Sequence, residues 1–143
     1  MFVEKEGQRR GVRIGVVEEG DPAIVEGNME SIRSSVLNLV LNSFEAMLEG
    51  GTLTLTVREA DGEARLEVAD TGRGIPEEEQ EKVFEFAYTT REDGHGLGLA
   101  MVHQVVVEDH GGRVTLRSRI GEGTRVLLAF PQASASAPAE AVS

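Results

Sequence analysis

The chain has 143 residues, 40% of them hydrophobic, and its 25 acidic against 14 basic side chains give a formal charge of -11. That size and apolar content suit one domain around a single core, and the acidity argues against a surface for nucleic acid or anionic lipid. Cysteine is absent, which excludes disulfides, thiolate metal sites and thiol nucleophiles; no apolar run has the length of a membrane span, and the N-terminus lacks the order of a signal peptide, so a cytoplasmic chain is expected.

After a polar start, residues 12–18 alternate as a strand, and Gly20, Asp21 and Pro22 predict a turn into a short second strand at 23–26. Asn28 suits an N-cap and Glu30 the first turn of a helix over 31–48, which Gly50 and Gly51 stop. Residues 52–58 alternate strictly, with Leu53, Leu55 and Val57 on one face, and Asp61-Gly62 predicts a hairpin into a partner strand carrying Ala64, Leu66 and Val68. Asp70 shares the parity of Leu66 and Val68, so its carboxylate points inward as the strand enters Thr71-Gly72-Arg73-Gly74-Ile75-Pro76. A short helix is expected at 77–83, a loop at 84–98, and a second long helix at 99–110 that Gly111 and Gly112 end. Residues 113–120 and 124–130 alternate around Gly121-Glu122-Gly123, and Pro131 opens an Ala/Ser-rich tail, 132–143, expected to be disordered. One domain over 1–131 follows, a mixed sheet covered by helices on one face.

Three features carry chemistry. The first long helix is apolar nearly all round, except that Asn38, Asn42 and Glu45 line up four and three residues apart. This stripe reads either as a narrow solvent-facing band or as a row of oxygens facing a cavity, where an amide oxygen can complete the octahedron of a phosphate-bound Mg²⁺. Asp70 before Thr-Gly is commonly a turn residue; a buried carboxylate beside Gly72 and Gly74, however, needs a donor such as the exocyclic amino group of a purine. Gly94-His95-Gly96-Leu97-Gly98 ahead of a helix offers backbone N–H groups to phosphate, or is a flexible connection; it is neither a Walker loop nor a dinucleotide fingerprint.

In order, these elements resemble the catalytic and ATP-binding domain of histidine kinases, in the superfamily that includes gyrase-type ATPases and the Hsp90 chaperones. Asn38-Leu39-Val40-Leu41-Asn42 matches the asparagine box, Asp70-Thr71-Gly72-Arg73-Gly74 the first glycine box, and Val83-Phe84-Glu85-Phe86 with Thr89-Thr90 the phenylalanine box. Gly94 to Gly98 matches the second glycine box and Gly121-Glu122-Gly123-Thr124 the last, over nearly all of residues 28–130. The resemblance implies the α/β two-layer sandwich of that superfamily, a Bergerat-type mixed sheet, and ATP and Mg²⁺ as ligands. Asn42 would hold Mg²⁺, Asp70 would bind the adenine amino group, and Gly72, Gly74 and Ile75 would shape the adenine pocket. Residues 84–96 would form the ATP lid, with Thr89, Thr90 and Arg91 near the phosphates, Gly94, His95, Gly96, Leu97 and Gly98 along the phosphate loop, and Thr124 reaching the adenine side through water. Asn38, Asn42 and Arg91 would be the catalytic groups.

Hydrolysing relatives typically carry Glu where Asn38 stands; an amide takes no proton at neutral pH, so transfer is favoured over hydrolysis. Ser43, Phe86-Ala87, His95 and Glu45 depart from the family pattern without removing a binding group, and the role of Glu45 stays open. Family kinases phosphorylate a histidine followed by an acidic residue on a dimeric helical hairpin, and His95, His103 and His110 all lack that context. The implied partners are therefore a phosphoacceptor hairpin elsewhere in the same kinase, whose parent chain can be membrane-anchored, and indirectly a response regulator; the isolated domain is expected to be a monomer without direct membrane contact. A regulatory nucleotide-binding module and an anti-sigma-type serine kinase fit the same residues, whereas an aspartic protease reading of Asp70-Thr71-Gly72 would make the other boxes coincidence.

Overall fold

The computed structural model describes residues 2–20, 24–84 and 99–132. Five strands, β1 (Val12–Glu19), β2 (Gly51–Ala60), β3 (Glu63–Asp70), β4 (Arg113–Arg119) and β5 (Gly123–Pro131), form one sheet in the order β1-β2-β3-β5-β4. β1 runs parallel to β2 and the other pairings are antiparallel, so the expected mixed sheet is present. The crossover between the parallel pair is the long helix, here α2 (Met29–Ala46). Asn28 caps it as read from sequence, accepting from Ser31 N at 3.0 Å.

The core lies between α2 and one face of the sheet. Phe44, Leu39 and Val40 from α2 meet Leu53, Val68 and Leu128 from the strands, each at most 2% exposed. The period-2 pattern that placed Leu53, Val68 and Leu128 inward is thus the one the strands use. The Asp61-Gly62 hairpin is a turn with φ of 56° and 77°, the left-handed pair that a two-residue connection demands.

The structure departs from the sequence reading in three places. The polar start folds as a helix, α1 (Phe2–Arg10), closed on itself by Glu6 with Arg9 and Arg10 and lying over β1, where a Cβ on Gly7 would stand 2.8 Å from Ile14 Cδ1. The short strand expected at 23–26 does not form in its described part, 24–26, and Ala23 lies outside the described residues. The expected helix at 77–83 is split into α3 (Glu77–Gln80) and a 3₁₀ turn (Lys82–Phe84).

The second long helix begins as α4 (Ala100–His103) and widens into a π-type segment, Gln104–Asp109. His110 finishes it. Its Nε2 accepts from Asn28 N at 3.0 Å, and its Nδ1, 2.6 Å from Val105 O, is then the nitrogen placed to donate. The ring also stands edge-on to Phe130, centroids 5.8 Å apart. His110 therefore fastens the end of this helix to the start of α2. His110→Ala is expected to lower unfolding free energy by about 1–3 kcal/mol in urea melts, through the lost bonds and the cavity left beside Phe130.

Candidate functional site

A cleft opens between α2 and the C-terminal end of β3. It is lined by Asn42, Ser43 and Ala46 from the helix, Asp70 and Gly74 from the strand end and its loop, and Thr124 from β5, with Leu39, Ile75, Leu99 and Leu116 supplying apolar walls. Among these are residues of the asparagine box, the first glycine box and the last glycine box.

Asp70 sits at the floor, 8% exposed. One carboxylate oxygen, Oδ1, accepts from Gly72 N at 2.9 Å and from Thr124 N at 3.2 Å, and the Ser43 hydroxyl also donates to the carboxylate. Burial raises the Asp70 pKa above the usual aspartate value; the bonds from Gly72, Ser43 and Thr124 oppose that without cancelling it. In the folded chain the group therefore keeps its proton at a pH where the unfolded chain has lost it. The stability this confers is complete below the usual value of 3.8 and is lost as pH rises through the raised one.

The glycines shape the floor. A Cβ on Gly72 would come within 2.6 Å of Ala46 O, so the loop after β3 lies directly on the end of α2, where Arg73 N also donates to Ala46 O at 3.0 Å. Gly74 has φ 80° and presses against the Arg119 carbonyl. Ser118 ties the two glycine loops together. Its hydroxyl accepts from Ile75 N at 2.8 Å and shares a bond with Thr124 Oγ1 at 2.7 Å, while Gly121 N donates to Arg73 O at 2.9 Å.

Asn38 and Asn42 are half-buried on the helical stripe read from the sequence. Asn42 lines the cleft, and its buried Nδ2 has no hydrogen-bond partner among the described residues. Thr89, Thr90, Arg91, Gly94, His95, Gly96, Leu97 and Gly98 lie outside the described residues, as do Phe86 and Ala87. The chain on either side of that segment is fixed: Leu99 N donates to Val83 O at 2.7 Å, and both side chains are at most 3% exposed. Ser43 and Ser118 are contributors that the sequence reading did not assign to the site. For Ser118 a signal existed, since it shares the inward parity of Val114 and Leu116.

A mixed sheet with helices on one face is the layout of solved histidine kinase catalytic domains. That of ThkA superposes with a TM-score of 0.83 at 27% identity, covering 92% of this chain and 86% of that one. Full-length ShkA, solved in complex with AMPPNP, superposes with a TM-score of 0.81 at 28% identity over 96% of this chain and 29% of its own. The chain belongs to the family of histidine kinase-, DNA gyrase B- and HSP90-like ATPases, whose pattern matches residues 27–134. Sensor protein DivL of Caulobacter vibrioides is 38% identical over 128 residues, 90% of this chain and 16% of DivL. Sporulation kinase A of Bacillus subtilis is 32% identical over 131 residues, 92% of this chain and 22% of that kinase. The chain thus spans a fifth or so of the length of these relatives. Among the described residues no helix is long and apolar enough to cross a membrane.

Proposed function

We propose that this chain binds Mg-ATP and donates the γ-phosphate to a histidine on a separate dimerisation and phosphoacceptor hairpin of the same kinase, from which a response regulator takes it. The observation that carries the reading is the buried Asp70 carboxylate, which has donors from the protein on Oδ1 and faces a cleft of purine-binding composition. An adenine amino group can add a further donor to that carboxylate. Gly72, Gly74, Ile75 and Thr124 then form the walls around the base.

Asn42 fits a metal that arrives with its substrate. Among the described residues no group of three or more His, Asp or Glu side chains could cage a cation, which suits a metal whose other ligands are phosphate and water oxygens, and a flip of the Asn42 amide would put its oxygen where the unpartnered Nδ2 stands. Bound there, Mg²⁺ would neutralise charge on the phosphates. Asn38 cannot take a proton from water, which leaves ATP for a better nucleophile. Thr89, Thr90 and Arg91, with the Gly94–Gly98 loop, are the groups proposed to meet the phosphates. The reading places the domain in the cytoplasm as a monomer.

Incubation of the chain with γ-labelled ATP, Mg²⁺ and its purified acceptor hairpin tests the proposal. Label on the hairpin that is lost in acid and kept in base, with little free phosphate when the hairpin is omitted, is the expected result. Acid-stable label on a partner serine would instead identify the anti-sigma type of kinase, and bound ATP without transfer a regulatory module.

A further inference from the structure

Among the described residues no helix covers the second face of the sheet, which carries charge of the wrong sign for this protein. Arg58 and Arg65 stand directly opposite each other across β2 and β3, and Arg117 and Arg125 across β4 and β5. Arg13, Arg113 and Arg119 share that face by strand parity, as do only three glutamates, Glu19, Glu63 and Glu67. Half of the 14 basic residues of a chain with charge -11 are therefore gathered on one surface.

Like charges placed directly opposite across a ladder oppose the pairing of their strands, so two such pairs call for a reason beyond that pairing. Acidic groups compensate only part of the charge: Glu63 pairs with Arg65 at 2.9 Å and Arg113 at 3.0 Å, Asp61 with Arg65 at 3.3 Å, Glu67 with Arg125 at 3.4 Å and Glu122 with Arg119 at 3.7 Å. Arg13, Arg58 and Arg117 have no ion-pair partner among the described residues. Between the strands lies a trough of about 760 Å³, lined by Thr52, Thr54 and Thr56 on one side and Arg117, Arg119 and Arg125 on the other, with Glu67 and Glu122 among them. Its end reaches Asp70, Thr71 and Thr124, the backbone that forms the cleft floor on the opposite face.

We infer that this open sheet face is a docking surface for an acidic polypeptide segment. A carboxylate-rich chain laid along the trough meets the guanidinium groups of Arg117, Arg119 and Arg125, and in the adjoining depression, which shares Thr56 and Arg125, those of Arg58 and Arg65; guanidinium binds carboxylate in two-pronged fashion, and the chain's backbone meets the threonine hydroxyls. Protein is favoured over polynucleotide or lipid because Glu63 and Glu67, set among the arginines, can accept peptide N–H groups, donors that a phosphodiester backbone and a phospholipid surface do not offer. This surface is distinct from the nucleotide cleft, and the inference does not depend on what that cleft binds.

The test is a titration of the isotopically labelled chain with decaglutamate, followed by amide chemical shifts, with a ten-nucleotide single strand of dT and phosphatidylglycerol vesicles as rival ligands. Decaglutamate is expected to shift amides of β2, β3, β4 and β5 on the trough, with affinity falling as salt rises. Arg58→Thr and Arg117→Thr are each expected to weaken binding by about threefold or more. The same two variants should melt at an unchanged temperature or up to about 4 °C higher, because each relieves a like-charge pair. Shifts elsewhere or none at all, tighter binding of the oligonucleotide or the vesicles, or lower melting temperatures in both variants would overturn the inference.

Discussion

Asp70→Asn is expected to weaken ATP binding by about a hundredfold while leaving the fold at least as stable as before. Both backbone donors, Gly72 N and Thr124 N, reach the same oxygen, Oδ1. An asparagine must keep its oxygen on that pair, which puts its amino group where the second carboxylate oxygen stands. A purine amino group would then meet a donor instead of an acceptor, and the lost bond is one to a charged group, worth about 1.5–3 kcal/mol. Stability moves the other way, because burial raises the Asp70 pKa and so disfavours the ionised form in the folded chain. Calorimetric titration of Mg-ATP paired with urea unfolding at pH 7 reads both effects. Undiminished affinity in the variant would remove Asp70 from purine recognition, and a large loss of stability would mean that its role is to hold the glycine loops.

The second large effect is expected at Gly74. Gly74 and Gly62 have nearly the same backbone angle, φ 80° and 77°, so an alanine at either suffers the same left-handed penalty of about 1 kcal/mol. Their surroundings differ. A Cβ on Gly62 meets nothing within 4 Å, whereas one on Gly74 overlaps the Arg119 carbonyl and lies 2.9 Å from Ile120 Cα. Those neighbours are backbone and cannot swing aside. Gly74→Ala is therefore expected to cost about 2–4 kcal/mol and to weaken ATP binding with it, against about 1 kcal/mol for Gly62→Ala with binding intact. Equal costs at the two positions, measured by urea unfolding, would show that the cleft floor yields more easily than its packing implies.

The sheet was legible in the sequence because each of its strands alternates and its turns carry glycine where positive φ is needed. The same alternation gave Asp70 its inward direction, and helical spacing put Asn38 and Asn42 on one stripe. The first helix was not legible: its sequence is charged and interrupted by Gly7, and what supports it is a close approach to Ile14 that no local pattern encodes. The splitting of the helix at 77–83 and the widening of the helix before His110 likewise come from tertiary partners, Val83 with Leu99 in one case and His110 with Asn28 in the other. At the site, the boxes named the residues that touch a nucleotide in the family, but not Ser43 and Ser118, whose hydroxyls hold those residues in place. A serine on an inward strand position is a visible anomaly, yet its partners become known only when the strands are paired.

The strand order leaves β4 and β1 as the margins of the sheet. A bare margin invites another chain to zip onto it, and proteins discourage that with charge. β4 does so with Arg113, Arg117 and Arg119, and β1 with Arg13, Glu18 and Glu19 around the exposed Val16 and Val17. The arginines of β4 thus also act as guards against aggregation, and a variant stripped of all three would trade its solubility for a smoother charge distribution.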